Sequence, residues 1–308
     1  MNIVVRAPNW LGDIVMSFPF FYALHDLYPA AAITVVAKKS FLPLFDLFNF
    51  SIEKMNLEEA KQRRHDSVDW YIALPPSFSS AWMGRFFFRA KRVTGYRGDW
   101  RRYLLTDALK KEKNIHRSKS YLHLISSDLN LNEVRSKMHL QNPDSALFLS
   151  SLPSSYTVIN INSEASSRRL PVHKWCELFL SLEEKTHLVF IGQEGERHRY
   201  EELKEKWRNQ SEKKELFFHD FFGKTSILEL FSLLKDSDEM ISNDSGPAHL
   251  AALAGRKVRV FFGAGDDHET GPIGKEVQII KKDISCSPCL KNSCPLKHKK
   301  CLEEIFIK

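Results

Sequence analysis

The stretch Ile241-Ser242-Asn243-Asp244-Ser245-Gly246-Pro247-Ala248-His249-Leu250-Ala251-Ala252-Leu253-Ala254-Gly255 constrains the fold more than any other part of the chain. Glu239-Met240-Ile241 can end a buried strand, and Asn243 to Gly246 are turn formers. Pro247 suits the first helical position, where it has no amide hydrogen to lose and its φ is preset. Ala248 to Ala254 favour a helix, and Gly255 is a natural left-handed stop. Val258-Arg259-Val260-Phe261-Phe262 reads as the next strand. Strand, tight loop, helix and strand make the repeating unit of a parallel α/β sheet. The loop leaves backbone amides free at a helix N-terminus, which attracts phosphate. Ser245, Gly246 and Ala248 are small enough for a ligand to reach the main chain. Asp244 and His249 add groups that can bond ribose hydroxyls or a diphosphate. The plainer reading is an ordinary turn, capped by Asp244 and Ser245, with His249 on a helix surface. The residues alone leave both readings open.

A second unit of this kind opens the chain. Ile3-Val4-Val5 is a short buried strand, followed by the loop Arg6-Ala7-Pro8-Asn9-Trp10-Leu11-Gly12-Asp13. Ile14, Val15, Phe18, Phe21 and Leu24 then recur at helical spacing, with Pro19 as an interruption. Ile33 to Ala37 is the next strand. No G-x-G-x-x-G opens this helix, which argues against a nicotinamide-dependent oxidoreductase. Asp13 sits where it can cap the helix or stand as a carboxylate at the mouth of the sheet, where open α/β folds bind ligands. Gly12 beside it leaves room for a ligand to approach the main chain. Val68 to Leu74, Tyr156 to Ile161 and His187 to Gly192 read as further strands. A helix holds Trp175, Leu178 and Phe179, and another starts at Thr225-Ser226. The segment from Asn132 to Ser155 lacks a period and carries Pro143, Pro153 and many serines, so we place a linker there. The domains expected are 1–150 and 151–308, each long enough to bury its own core.

No apolar run approaches the ~20 residues that span a bilayer. The N-terminus lacks a basic segment followed by an apolar one, so no signal peptide is read and a cytoplasmic protein is expected. The formal charge of +7 favours an anionic partner. Without an arginine-rich tail, zinc-finger spacing or RNA-recognition signature, nucleic acid is the weakest candidate. Arg85, Arg89, Lys91, Arg92, Arg97, Arg101 and Arg102 lie close together with aromatics interleaved. They suit a solvated basic helix packed by Phe, or a face that meets phosphorylated lipid or a membrane surface. Four of the five cysteines crowd the tail: Cys286, Cys289, Cys294 and Cys301. The first pair has metal-ligand spacing, but the second is too wide for a standard zinc ribbon. Packed free thiols and a structural zinc are both open, and a cytoplasmic setting disfavours a disulfide.

The wording of these motifs adds a resemblance. Asp244-Ser245-Gly246-Pro247-Ala248-His249, continued by Phe262-Gly263 and Thr270-Gly271-Pro272, resembles the donor-site signature of glycosyltransferase family 9, the heptosyltransferases. Arg6 to Asp13 and Gly95-Tyr96-Arg97-Gly98-Asp99-Trp100-Arg101-Arg102-Tyr103 are similar to the N-terminal and acceptor-side motifs of its heptosyltransferase II branch. The resemblance implies a GT-B architecture: two Rossmann-like α/β domains with parallel sheets facing a central cleft. It implies inverting transfer of heptose from ADP-L-glycero-D-manno-heptose to the lipopolysaccharide inner core, with Asp13 as general base. It implies a donor site of Ser163, Arg168, Glu196, Thr225, Asp244, Ser245, Gly246 and His249, and acceptor contacts from Gly12, Arg97, Arg101 and Arg102. No cofactor and no catalytic metal are implied, because helix amides and Arg168 would stabilise the diphosphate. Peripheral contact with the inner membrane would follow from the lipid acceptor. Asn162-Ser163 and Arg168-Arg169-Leu170-Pro171 depart from the family's Pro-Gly-Ala and Lys, and Arg168 matches the lysine. The competing readings are a family member with another acceptor, and a non-catalytic module that binds nucleotide or anionic lipid.

Overall fold

The computed structural model describes residues 1–62, 68–143, 152–210 and 212–307. The chain forms two compact units, Met1–Pro143 and Asp144–Lys308. The division expected at 150/151 lies outside the described residues. The described start of the expected linker is a helix, Leu131–Ser136. Asn130 caps it, accepting from the backbone N–H groups of Asn132 at 2.9 Å and Glu133 at 3.3 Å. The helix packs on Phe18–Leu27 of the first unit. At six residues it is too short to show a period, so the sequence hides it.

In the first unit, strands β1 (Asn2–Arg6), β2 (Ala32–Ala37), β3 (Glu53–Asn56), β4 (Trp70–Ala73), β5 (Arg92–Tyr96) and β6 (Asp107–Leu109) form one parallel sheet in the order β3-β2-β1-β4-β5-β6. In the second, β7 (Thr157–Asn160), β8 (His187–Gly192), β9 (Phe217–Phe222), β10 (Glu239–Asn243), β11 (Lys257–Phe262) and β12 (Val277–Lys281) form another, in the order β12-β11-β10-β7-β8-β9. Counted from its own first strand, each sheet has the doubly wound Rossmann order. The order reverses between β1 and β4, and between β7 and β10. Ligands of such sheets bind beyond the strand ends at these reversals. Central strands covered on both faces must be apolar throughout, as Ile3-Val4-Val5 and Met240-Ile241 are.

Two local expectations change. The helix expected from Ile14 to Leu24 is two helices, Leu11–Met16 and Phe18–Leu27. The Ser17 N–H closes the first by donating to the Asp13 and Ile14 carbonyls, and Pro19 lies in the first turn of the second. A proline is tolerated there because its missing N–H would have no partner inside the helix. The basic cluster is no single helix either. A helix at Phe78–Trp82 runs into a wider turn at Met83–Phe87, then β5, then a 3-10 turn at Asp99–Leu104. Buried bonds fix β5: Trp70 Nε1 donates to Thr94 at 2.7 Å, and Thr94 Oγ1 donates to Asp107 at 2.8 Å. Arg92 pairs with Asp107 and lies 4.2 Å from the centre of the Trp70 ring.

In the second unit Trp175, Phe179, Phe190, Tyr200 and Phe261 share one core. The tail contributes to it. Leu302 and Ile305, on and just after the short helix Lys300–Glu303, are buried in the same cluster. Burial of side chains of this size contributes roughly 1.5–3 kcal/mol each, which anchors the tail to the sheet.

Candidate functional site

The loops after β7 and β10 meet at the reversal of the second sheet. Their side chains are largely buried and bonded to one another. Asn160 Nδ2 donates to Ser245 Oγ at 2.5 Å and to Ser242 Oγ at 3.2 Å. Ser163 Oγ donates to the Asp244 carbonyl at 2.8 Å. Asn243 joins the loops twice, donating to the Ile161 carbonyl at 2.7 Å and accepting from the Leu170 N–H at 2.9 Å. Arg168 Nη1 lies 3.3 Å from Asp244 Oδ2; Asp244 is 4% exposed, while the arginine side chain is half-open. The helix Gly246–Leu253 starts beside them, with Ser245 at its N-cap position and His249 in its first turn.

Four of the donor residues read from the sequence, Arg168, Asp244, Gly246 and His249, belong to these two neighbouring loops and the helix start. Ser163 and Ser245 are there too, with their hydroxyls engaged in joining the loops. His249 is buried rather than on a helix surface, at 6% exposure. Ser245 occupies the cap position without a side-chain cap bond. Gly255, at φ 78°, ends the helix region in the left-handed conformation expected of it.

Glu196 and Thr225 lie at the ends of β8 and β9, further along the same edge of the sheet. The Glu196 carboxylate accepts from the Gln193 N–H at 3.0 Å in a reciprocal capping box. Thr225 precedes the helix Ile227–Asp236, whose capping box is made by Ser226 and Glu229. Asn162, in the loop after β7, is a polar residue that the sequence reading did not single out. It is 3% exposed, and among the described residues neither its Oδ1 nor its Nδ2 has a hydrogen-bond partner. Gly192 at the end of β8 leaves room for the Phe222 ring and for Asn162, since a Cβ there would lie 2.3 Å from the ring and 2.9 Å from Asn162 Nδ2. Only the departure from Pro-Gly-Ala marks this position in the sequence, and that departure carries no chemistry of its own.

In the first unit, Asp13 is the third residue of the helix Leu11–Met16 and Trp10 is its N-cap, so Asp13 is not the cap. Its Oδ1 accepts from Arg117 Nη1 at 2.6 Å, and Asp13 is largely buried. Arg117 opens the helix Arg117–Leu122, distant in sequence, so no local pattern points to it. Burial, and next the charge of Asp13, push the neighbouring Tyr121 phenol well above its ordinary range. Gly12 lies one residue before Asp13 in the same turn. Buried Arg6 braces this loop by donating to Asn9 Oδ1 at 2.5 Å and to the Val36 carbonyl at 3.3 Å.

The basic cluster divides into two kinds of side chain. Lys91 and Arg92 pair with Asp69 and Asp107. Arg101 donates to the carbonyls of Tyr96 at 2.6 Å, of Arg97 at 3.2 Å and of Pro76, so its guanidinium holds its own loop. Arg85, Arg89, Arg97 and Arg102 have exposed positions, with Arg102 4.6 Å from the centre of the Tyr103 ring. Phe78, Trp82, Phe86, Trp100 and Tyr103 are exposed on three elements, the helix Phe78–Trp82 and the turns Met83–Phe87 and Asp99–Leu104 that contact it, Trp100 at 77%. Phe78, Gly98, Trp100 and Arg101 line an open pocket of about 460 Å³.

All five cysteines are free thiols. Among the described residues no three His, Cys, Asp or Glu side chains form a set that could hold a metal ion. The tail thiols are nonetheless neighbours. Burial first, and then Cys286, Cys289 and Cys294, push the Cys301 thiol up, whereas bonds from backbone N–H groups, Lys299 foremost, hold Cys294 down. No helix among the described residues is long and apolar enough to cross a membrane.

The profile of glycosyltransferase family 9 (heptosyltransferase) matches residues 58–300. Lipooligosaccharide heptosyltransferase 2 of Campylobacter jejuni subsp. jejuni serotype O:2 is 25% identical over 321 residues, covering 99% of this chain and 94% of the relative. Lipopolysaccharide heptosyltransferase 2 of Escherichia coli K12 is 25% identical over 312 residues, covering 91% and 88%. The solved structure of E. coli ADP-heptose LPS heptosyltransferase II shares the fold, with a TM-score of 0.77 at 22% identity over 99% of this chain and 100% of that one. The two Rossmann-like α/β units are thus those of a GT-B glycosyltransferase, and the chain belongs to glycosyltransferase family 9, the heptosyltransferases.

Proposed function

We propose that this enzyme moves heptose, with inversion, from ADP-L-glycero-D-manno-heptose to a sugar of the lipopolysaccharide inner core. One observation carries the reading: a buried, interlocked polar site at the reversal of the second sheet, where Arg168 and Asp244 stand beside a helix N-terminus. In this reading Arg168 and the N-terminus of the helix, where the Gly246 N–H opens the first turn, bind the diphosphate. Asp244, His249 and Asn162 offer donors and acceptors to the sugar hydroxyls of the donor. Glu196 and Thr225, one and two strands away, give the nucleoside its bed. Ser163 and Ser245 hold the loops in register, and Gly246 lets the phosphates approach the main chain.

The first unit takes the acceptor. Its hydroxyl gives its proton to the Asp13 carboxylate as the oxygen attacks the anomeric carbon. The bond from that carbon to the diphosphate oxygen breaks, and ADP leaves with the electron pair. Arg168 and the helix N-terminus stabilise the charge that develops. Arg117 fixes the orientation of Asp13, and Gly12 leaves the approach open. Arg97 and Arg102 attract the anionic acceptor, while Arg101 shapes the adjoining pocket. The exposed Trp82, Phe86 and Trp100, with the cations around them, rest on the cytoplasmic face of the inner membrane, combining apolar area with charge.

Incubation with ADP-heptose and heptose-deficient lipopolysaccharide tests this, read by mass spectrometry of the acceptor. A gain of one heptose is expected. Transfer only to another acceptor would move the enzyme elsewhere in its family. ADP binding with no transfer to any acceptor would leave a binding module.

A further inference from the structure

The tail sits on both halves of the site just described. On the Arg168 side, the Ser167 N–H donates to the Asn292 carbonyl at 3.2 Å, and the Ser167 hydroxyl donates to the Lys291 carbonyl. The Ser166 hydroxyl reaches the Asn292 carbonyl as well, at 3.2 Å. Ser167 is 2% exposed and immediately precedes Arg168. On the Asp244 side, the tail holds the loop that follows β11. Ser287 Oγ donates to the Gly263 carbonyl at 2.6 Å, and the Leu290 N–H donates to the Ala264 carbonyl at 2.8 Å. Leu302 and Cys301 close over Gly263, where a Cβ would lie 2.8 Å from Leu302 Cγ and 3.1 Å from Cys301 Sγ. Two residues on, Gly265 passes so close to Asp244 that a Cβ there would lie 2.2 Å from Oδ2. One short tail segment, Ser287 to Asn292, therefore spans from the loop that carries the cation to the loop that backs the carboxylate.

We propose that this segment is a clamp that sets the spacing of Arg168 and Asp244, with Ser167 as the positioning residue through which it acts on the diphosphate. The proposal rests on the donor reading given above. Arg168 must meet the diphosphate from a loop that has little secondary structure of its own beyond the 3-10 turn Ser166–Arg168. The tail carbonyls anchor it, beside the bonds of Arg169 to the Ser163 and Glu164 carbonyls and of the Leu170 N–H to Asn243. The position of this arginine therefore depends in part on residues more than a hundred positions later in the chain. Loosening the clamp should weaken donor binding and leave the chemical step, which belongs to Asp13, unaltered.

Calorimetry with ADP is the test, run on the full chain alongside steady-state transfer. Ser167→Ala removes the bond to the Lys291 carbonyl but keeps the backbone one. It should weaken ADP binding and raise the donor KM by roughly tenfold, as the loss of a buried bond does, with kcat within twofold of the parent. Ser167→Thr, which keeps the hydroxyl, should restore affinity. His173→Ala removes a different tail contact, the exposed pair with Glu303 at 3.1 Å, and should leave ADP affinity as in the parent. Ser287→Ala loosens the opposite arm and should act in the same direction as Ser167→Ala. It also provides the reading if Ser167→Ala does not fold. Parent-like ADP affinity in the folded serine variants, or an equal loss in His173→Ala, overturns the clamp. Failure of the donor reading looks different: parent protein without ADP affinity, or Arg168→Ala binding ADP as the parent does.

Discussion

The two sheets share one strand order, yet the loops at their reversals are built differently. After β7 and β10 the polar side chains are buried and bonded to each other, so that Asn160, Ser163, Asn243 and Ser245 hold a fixed frame around Arg168 and Asp244. After β1 the loop is braced by Arg6 through Asn9 and Val36 and carries the Asp13–Arg117 ion pair, on a unit that also has an exposed cluster of aromatics and arginines. A small ligand of fixed shape rewards a preorganised frame, because less ordering remains to be done on binding. A large amphipathic acceptor needs area, charge and one well-placed base. On the proposed reading the same fold supplies both, by changing only what the strand ends carry.

Four experiments break or sharpen this division. The largest effect is expected from Asp13→Asn. It should lower single-turnover transfer by roughly 10²–10⁴, the usual worth of a general base, and leave ADP affinity unchanged. The altered group keeps its size, and the helix cap is not involved. A rate within a few-fold of the parent would remove Asp13 as the base and take the chemistry out of the first unit's loop.

Next comes the frame itself. Asn243→Ala leaves the Leu170 N–H and the Ile161 carbonyl buried without their partner, at a cost of about 2–4 kcal/mol. Urea unfolding of the second unit should register it. A loss below about 1 kcal/mol, less than one such bond is worth, would mean that the loops are held apart from this residue. Arg168→Ala should weaken ADP binding by about 1.5–3 kcal/mol, the worth of a charge-assisted contact, with the unfolding midpoint nearly unchanged. Equal stability loss in both variants would erase the distinction between frame and ligand contact.

The smallest effect concerns the exposed patch. Binding to anionic vesicles should fall as salt rises, since exposed charges are screened over about 8 Å at physiological ionic strength. Replacing Arg97 and Arg102 by Gln should flatten that response by about 1 kcal/mol per charge. Arg101→Gln should disturb the pocket and leave the salt response as it was. A parent-like salt response in the Arg97 and Arg102 double variant would return them to an ordinary solvated face.

Residues that act through their neighbours along the chain are legible in the amino-acid sequence. The turn formers from Asn243 to Gly246, the small apolar helix after them and the left-handed Gly255 together specify one α/β unit. The central strands are equally plain, because burial on both faces makes them uniformly apolar. Residues that act across the fold are not legible in this way. Arg117 meets Asp13 from far along the chain, and Ser167 meets the tail from still further. Strands β3, β5, β6, β9 and β12 escape the sequence pattern for a related reason. Strands toward the sheet edges carry charges, as Glu53-Lys54 and Arg92 do, and the period that marks a strand is then obscured. The same charges give the Arg85 to Arg102 region the pattern of one basic helix. Asp13 suits a cap by residue type, but the helix has already begun at Leu11, with Trp10 before it.

A crystal structure of the protein with ADP tests the central claim most directly, because it locates the donor without relying on any variant. The diphosphate should lie at the N-terminus of the helix Gly246–Leu253, within hydrogen-bond reach of Arg168, with the adenosine running along the edge of the second sheet toward Glu196 and Thr225. ADP bound instead on the first unit, or on the second with Arg168 still turned to Asp244 and its guanidinium out of reach of both phosphates, would contradict the account.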